Sequence, residues 1–439
     1  MKHLKLIPFI LALLMLASCT FAPGVPDTTK NPSPAKSPAS FEEGTVLSAP
    51  VYPKAIGYED FDAQYAAREE IDENYLNAVR SFLEKSAALA LSDTGGKNAL
   101  VSPASLFFAL AMTVEGASGN TKEQLLAALG TDDALLSSET GKLFRSLYFE
   151  NEYGSFKVYN SAWLDGRAEF DQNTLNSIAE NYYAECIAAD FTGTDYKAQI
   201  ADWVEERTNG LLGGDPESFS MDPETLMALI NTLYYKDQWI DRFNADKTDK
   251  ANFHNANGSV VSFDFMNRTS FGSFDTTEQF LAASLQLKNG SIRFVLPNEG
   301  VTPEDILNDA AVFSMALNGA TGGGYGEITW SVPKFDYSIE VELSDTLKAM
   351  GITDAFIGDA ADFSGFTKSE KLFIGGVKQG SKIAIDENGI EAASYTEIAF
   401  AGTAMPTDRA DMILDRPFLY IVSVDGLPVF VGVVNQLDG

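Results

Sequence analysis

The chain has 439 residues, with 31 Lys and Arg against 62 Asp and Glu, two Cys and two His. At 45% hydrophobic and 21% charged its composition excludes disorder, collagen and coiled coil, and its length allows one large domain or two to three of average size. A net charge of −31 repels phosphate backbones and anionic lipid, so no nucleic-acid partner is expected.

Lys2, His3 and Lys5 precede an apolar run from Leu6 to Leu16, too short to span a bilayer as a stable helix. The run ends in Leu16-Ala17-Ser18-Cys19, which resembles a bacterial lipoprotein signal. That resemblance implies removal of residues 1–18, lipid on Cys19, and an exported protein at the cell surface or outside the cell. Its membrane contact would be through the lipid alone. An ordinary secretory signal with an incidental Cys is the alternative. Loss of His3 leaves His254, too few histidines for a His-rich metal site, and neither metal nor cofactor is expected. Cys186 is then the one thiol of the folded part, with no partner for an intramolecular disulfide, and its apolar neighbours predict burial.

From Phe21 to Ser40 five prolines stand among Thr, Ser and Lys, a composition that cannot build a core. The organisation read from sequence is therefore signal 1–18, tether 19–57 and one domain 58–439. Tyr75, Val79, Phe82 and Leu83 fall on one helical face. Ser102-Pro103-Ala104-Ser105 and Asn120-Thr121-Lys122-Glu123 start two more helices, the second ending at Gly130. Ile200 to Thr208 continues the helical pattern. Then the period changes. Leu226–Tyr235, Phe280–Leu287, Ile292–Leu296, Ile328–Val332 and Phe418–Val434 are rich in β-branched and aromatic residues. Helices early and strands late predict an α+β fold on large, mostly antiparallel sheets.

Signatures of catalysis are missing: there is no Gly-x-Ser-x-Gly, His-Glu-x-x-His, P-loop lysine or Cys-x-x-Cys. Gly322-Gly323-Gly324-Tyr325-Gly326 reads as a flexible loop, Asp386-Glu387-Asn388-Gly389 lacks the spacing of a calcium loop, and His254 reads as a turn residue between strands. The chain is not expected to be an enzyme.

Ordered segments along the chain resemble one family. Asn98 to Leu106 with Ala109 and Gly116-Ala117 is similar to the second helix of serpins, and Asn231 to Trp239 with Phe243 and Phe253-His254 to their central strand and breach. Pro333-Lys334-Phe335, Leu347 to Phe356, Ala361 to Gly365, Asp386 to Ala393, Arg416 to Tyr420 and Val431 to Asn435 follow in family order. The likeness runs over roughly residues 65 to 437. It implies about nine helices, three β-sheets and an exposed reactive loop, in a monomeric suicide-substrate inhibitor. The target, a serine or cysteine protease, would cut the loop, stay esterified to it, and be carried away as the loop enters the main sheet. By the same resemblance Ser102, Ser105, Asn231 and Gln379 belong to the shutter, Trp239 and Lys334 to the breach, and Glu387, Gly389, Ile390, Glu391, Ala392, Ala393 and Ser394 to the hinge. Gln379 stands where the family usually has His, Ile390 where it has Thr or Ser, and Tyr395 where a small residue is common. Glu387 is expected to pair with Lys334.

A loop that becomes a central strand must alternate, lack proline and keep charge off its buried face. Ile390, Ala392, Ser394, Thr396, Ile398 and Phe400 form an uncharged inward set, both Glu391 and Glu397 fall in the other, and Pro406 is the first proline. Counting from the hinge places the reactive bond at Thr403–Ala404, with Ala404–Met405 the alternative; counting back from Pro417 moves it beyond Pro406. Small residues around the bond suit an elastase-like or subtilisin-like protease. The second hypothesis is a non-inhibitory surface lipoprotein of the same fold that binds a ligand or partner.

Overall fold

The computed structural model of the chain describes residues 11–18, 44–208, 215–320, 323–390 and 408–438. Tyr75, Val79, Phe82 and Leu83 are the buried face of the Glu73–Leu91 helix, whose N-cap Asp72 accepts from the N–H groups of Asn74 and Tyr75. Ser102 caps the Pro103–Gly116 helix by accepting from the Ser105 N–H at 3.1 Å, and Pro103 occupies the first turn, where no N–H is needed. Leu106 to Met112 of this helix are all apolar and buried, so it is a central pillar rather than a surface helix. The Gly119–Leu129 helix stops at Gly130, whose φ of +71° supplies the left-handed turn.

Among the described residues ten α-helices accompany two nine-stranded sheets. The main sheet runs, from one edge, through Val46–Ser48, Ala184–Ala189, Ser155–Asp165 and Thr225–Gln238, then across a gap to Phe373–Asp386 and Phe335–Glu342. Two segments lie in that gap: the short strand Gly389–Ile390 and the N-terminal strand Leu11–Ser18. The expected three sheets are joined into two ladders because Val260–Thr276 is 17 residues long. Its first part pairs with Thr248–His254, its middle with Gly324–Pro333 and its end with Phe280–Gln286, so hydrogen bonding passes without a break. His254, expected in a turn, is instead the last residue of its strand, paired with Val260, and the Asn255–Ser259 turn follows it.

The main sheet is covered on both faces. The Pro103–Gly116 helix packs on one side, and on the other the Asp195–Arg207 helix brings Tyr196, Ile200, Trp203 and Val204 against Trp163, Ala228 and Ile230. Burial on both faces explains why Leu226–Tyr235 reads as a continuous apolar run rather than an alternation.

Two expectations are corrected. Gly324-Tyr325-Gly326 is strand, not flexible loop: a Cβ on Gly326 would lie 1.9 Å from the Asp408 carbonyl oxygen, so the glycine permits close strand approach. The folded part also begins before residue 58. Val46–Ser48 adds an edge strand beside Ala184–Ala189, and Tyr52 packs against Phe144, Tyr159 and Tyr183, so residues 44–57 belong to the body.

Cys186 is fully buried among these strands, and burial, with the nearby Glu185 charge, pushes its thiol up to about 12. In a Cys19→Ser chain, a thiol reagent at pH 8 should label Cys186 only after unfolding. Rapid labelling of the native protein would contradict this packing.

Candidate functional site

The Thr225–Gln238 and Phe373–Asp386 strands are each antiparallel to the strands in the gap, and so parallel to one another. They form the two walls of a slot one strand wide. The N-terminal end of the Pro103–Gly116 helix ties both walls from below. On one wall the Ser105 hydroxyl donates to Asn231 Oδ1, Asn231 Nδ2 donates to Asn160 Oδ1 at 2.5 Å, and Asn160 donates to the Tyr182 carbonyl at 2.7 Å. On the other, Gln379 Oε1 accepts from the Ser102 N–H at 2.7 Å while its Nε2 donates to the Ser102 carbonyl at 3.0 Å. Gln379, expected with Ser102 in the shutter, where the family usually has histidine, closes a two-bond bridge to the helix cap. Ser102, Ser105, Asn160, Asn231 and Gln379 are all buried, where polar groups are costly unless paired. Asn231→Ala should remove the acceptor of Ser105 and the donor to Asn160, lowering stability by about 2–4 kcal/mol in denaturant melts. A change below about 0.5 kcal/mol would show that the network is not holding the wall.

The hinge sits at one end of the slot. Glu387 Oε2 accepts from Lys334 Nζ at 2.8 Å and Oε1 from the Thr248 hydroxyl at 2.8 Å, which joins the expected partner to one not foreseen. The Glu387 carbonyl accepts from the Phe243 N–H, and the Asn388 carbonyl from the Trp239 N–H. Trp239 returns its indole N–H to the Asp386 carbonyl at 2.9 Å and stacks edge-on with Phe243. Burial pushes the Glu387 carboxyl upward, and the bonds from Lys334 and Thr248 overcome it, holding the group below its ordinary value. Its contribution is therefore present above the unfolded carboxylate range and is lost as pH falls through the lowered pKa. Glu387→Lys should place like charges together, lower the thermal midpoint by several degrees and promote polymers on native gels; a silent variant would remove this pair from the hinge.

Gly389 has φ +145°, and a Cβ there would lie 2.3 Å from the Asp237 carbonyl oxygen, so the turn into the slot needs glycine. Ile390 follows, fully buried and opposite Asp237 on one wall and Ile385 on the other. Glu391, Ala392, Ala393 and Ser394, expected in the hinge, Thr403, Ala404 and Met405, expected around the reactive bond, and Cys19, expected to carry lipid, lie outside the described residues. The chain resumes in Asp408–Ile413, parallel to Gly324–Pro333, with Arg409 3.7 Å from Glu327.

Asp237 was not foreseen. It lies six residues after Asn231, so a period-two count puts it on the same inward face. Its carboxylate accepts from the N–H of Asn289 at 2.8 Å, Asn289 Nδ2 at 3.0 Å, the Gln238 N–H at 2.9 Å and the Tyr235 hydroxyl at 3.2 Å. Burial nevertheless outweighs these donors and raises its pKa to about 6. The folded form then binds a proton more readily than the unfolded one, so this group's contribution declines as pH rises from about 4 through 6. An Asp237→Asn variant should gain stability relative to the parent between pH 4 and pH 7, by about 3 kcal/mol. Thermal melts across that range with no growing difference would contradict it.

No helix among the described residues is long and apolar enough to cross a membrane. Comparison with known proteins gives a consistent answer. The family description "Serpin (serine protease inhibitor)" matches residues 83–437. An uncharacterized serpin-like protein of Thermococcus kodakarensis is 28% identical over 443 residues, covering 97% of this chain and 99% of that one. Serpin-ZX of Arabidopsis thaliana is 26% identical, covering 82% and 96%. Among solved structures, the thermophilic serpin tengpin in its native state superposes with a TM-score of 0.74 at 25% identity, covering 84% of this chain and 96% of tengpin. Its latent state gives 0.71 at 25% identity, covering 84% and 100%.

Proposed function

The chain belongs to the serpin family, most of whose members inhibit proteases by conformational trapping, and we propose that it is a suicide-substrate inhibitor of extracellular serine proteases of elastase-like or subtilisin-like preference. The observation that carries this reading is the register of the hinge. Ile390 stands opposite Asp237 and Ile385. A chain continued from it in step would bring Ala392, Ser394, Thr396, Ile398 and Phe400 opposite Tyr235, Leu233, Asn231, Leu229 and Met227, all buried. The same count would bring Glu391 between Lys236 and Ala384, and Glu397 between Ile230 and Lys378, on the opposite face. Each carboxylate of the inserting loop thus meets a lysine.

In this mechanism the protease serine oxygen attacks the Thr403 carbonyl carbon, the Thr403–Ala404 bond breaks, and the Ala404 amine leaves with a proton. The ester to Thr403 remains. Fourteen residues from Ile390 to Thr403, at roughly 3.3 Å each, would carry the enzyme some 46 Å. Insertion pairs backbone groups previously bonded to water and buries apolar surface at about 25 cal/mol per Å². Residues 1–18 are assigned as the signal and Cys19 as the lipid site, with the Pro-rich stretch holding a monomer off a bacterial surface. The alternative, a non-inhibitory serpin-fold lipoprotein binding a ligand or partner, draws on one observation: in the full chain the slot already holds Leu11–Ser18.

Residues 20–439 incubated with an elastase-like protease should yield a complex that survives denaturing gels, and the released peptide should begin at Ala404. Arg409→Ala should leave that complex intact, because Arg409 lies beyond the inserting section. Cleavage without a complex would overturn the inhibitor reading. Lys378→Glu should lower the yield of complex over cleaved product a few-fold, as one like-charge cross-strand pair is worth about 0.2–1 kcal/mol. Adding Glu397→Lys should restore it.

A further inference from the structure

Leu11–Ser18 pairs with both walls of the slot, antiparallel to each. Leu11 stands opposite Leu233, Ala12 opposite Thr232 and Gly380, and Leu13 opposite Asn231 and Gln379. A loop continued in step from Ile390 would reach Leu233 with Ser394, the Thr232 and Gly380 pair with Tyr395, and the Asn231 and Gln379 pair with Thr396. From Leu11 to Leu16 the N-terminal strand therefore holds the positions from Ser394 onward, in the same direction and in the same register on both sides; the register shifts at Ala17 and Ser18. It also meets the requirements of the slot: Leu-Ala-Leu-Leu-Met-Leu-Ala-Ser has no charge and no proline. Gly389–Ile390 enters above Leu11, so the hinge and the N-terminal strand fit together, whereas the inserted loop and that strand cannot.

We propose that the slot is a binding site for this chain's own Leu11–Ser18, which blocks loop insertion until it is removed. The releasing step is hydrolysis of the Ser18–Cys19 bond: water adds, Ser18 keeps the carboxylate and Cys19 the amine. A chain that folds with its leader attached is closed; loss of the leader frees the slot and makes the loop its remaining occupant. This rests on the reading of residues 1–18 as a removable leader and of the loop as an inserting one.

The test compares three proteins made without export: the full chain 1–439, the chain 20–439, and a full chain with Leu13→Pro and Met15→Pro, which cannot donate at those two positions and leaves the body sequence unchanged. Backbone amides of residues 226–233 and 374–380 that face the slot should exchange with solvent about tenfold or more slower in the full chain than in the other two. A synthetic peptide of sequence Leu11–Ser18 added to 20–439 should restore the protection. The full chain should be cleaved by an elastase-like protease without a stable complex, and 20–439 should form one. Equal exchange in all three proteins would overturn the assignment of the slot, even where 20–439 inhibits. Slow exchange in the full chain alone, with no complex from 20–439, would keep the slot assignment and sink the inhibitor reading instead.

Discussion

Two parallel strands that do not touch are the constraint on which the rest of this molecule depends. Thr225–Gln238 and Phe373–Asp386 each have a permanent neighbour on the far side, Ser155–Asp165 and Phe335–Glu342, and each turns its other edge to the slot. A row of unpaired N–H and C=O groups between two covered faces is unfavourable, and one antiparallel strand satisfies both rows at once. A third strand is therefore strongly favoured whatever its source. In this structure Leu11–Ser18 lies between the walls, and the N-terminus of the Pro103–Gly116 helix bonds to both of them. Ser105 reaches Asn231 on one wall while the Ser102 backbone holds Gln379 on the other. One helix N-terminus thereby anchors both walls.

The hinge end solves a different problem, since the chain must turn from one wall into the slot without a side chain in the way. Gly389 makes the turn, and its neighbours fix where it occurs. Glu387 is held by Lys334 and Thr248, and its own carbonyl by Phe243, while Trp239 binds the backbone on both sides of it. Asp237, opposite Ile390, sits in a ring of donors yet is desolvated enough to resist ionisation. The mouth of the slot is thus rigid where the register is set. That rigidity matters because, if the loop inserts, a slip of one residue would exchange its charged and uncharged sets between the two faces.

Much of this was legible in the sequence because it is local. Ser102 before Pro103 is a helix start in any context, and the alternation after Gly389 separates charged from uncharged positions without knowledge of the partner strands. Glu387 and Lys334 are 53 residues apart, and their pairing was reached through family likeness rather than through spacing. What stayed hidden is set by tertiary contact. The roles of Asn160, Thr248 and Asn289 depend on which strand lies beside which, and no local pattern marks them. Tyr52 and Val46 lie next to a Pro-rich stretch whose composition speaks for a tether, yet an open sheet edge and an aromatic cluster draw them onto the body. An apolar run such as Leu11–Ser18 reads as a leader by its flanks, while its lack of charge and proline suits it equally to a buried strand.

The competition between the two candidate strands turns on how each is tied. The loop begins at Ile390, already in the slot, so its effective concentration there is high. Its other end, however, is fixed in the second sheet at Asp408–Ile413, and the uncut loop is anchored at both ends. Leu11–Ser18 joins the body through residues 19–43 and has no partner strand elsewhere among the described residues. An intact loop is thus near but restrained, and the N-terminal strand more remote in sequence but unrestrained. Cutting the loop frees the first, and cutting at Cys19 removes the second. If the leader is removable and the loop inserts, as proposed, the occupant of the slot is decided by the order of two bond cleavages, with sheet completion supplying the free energy in either case.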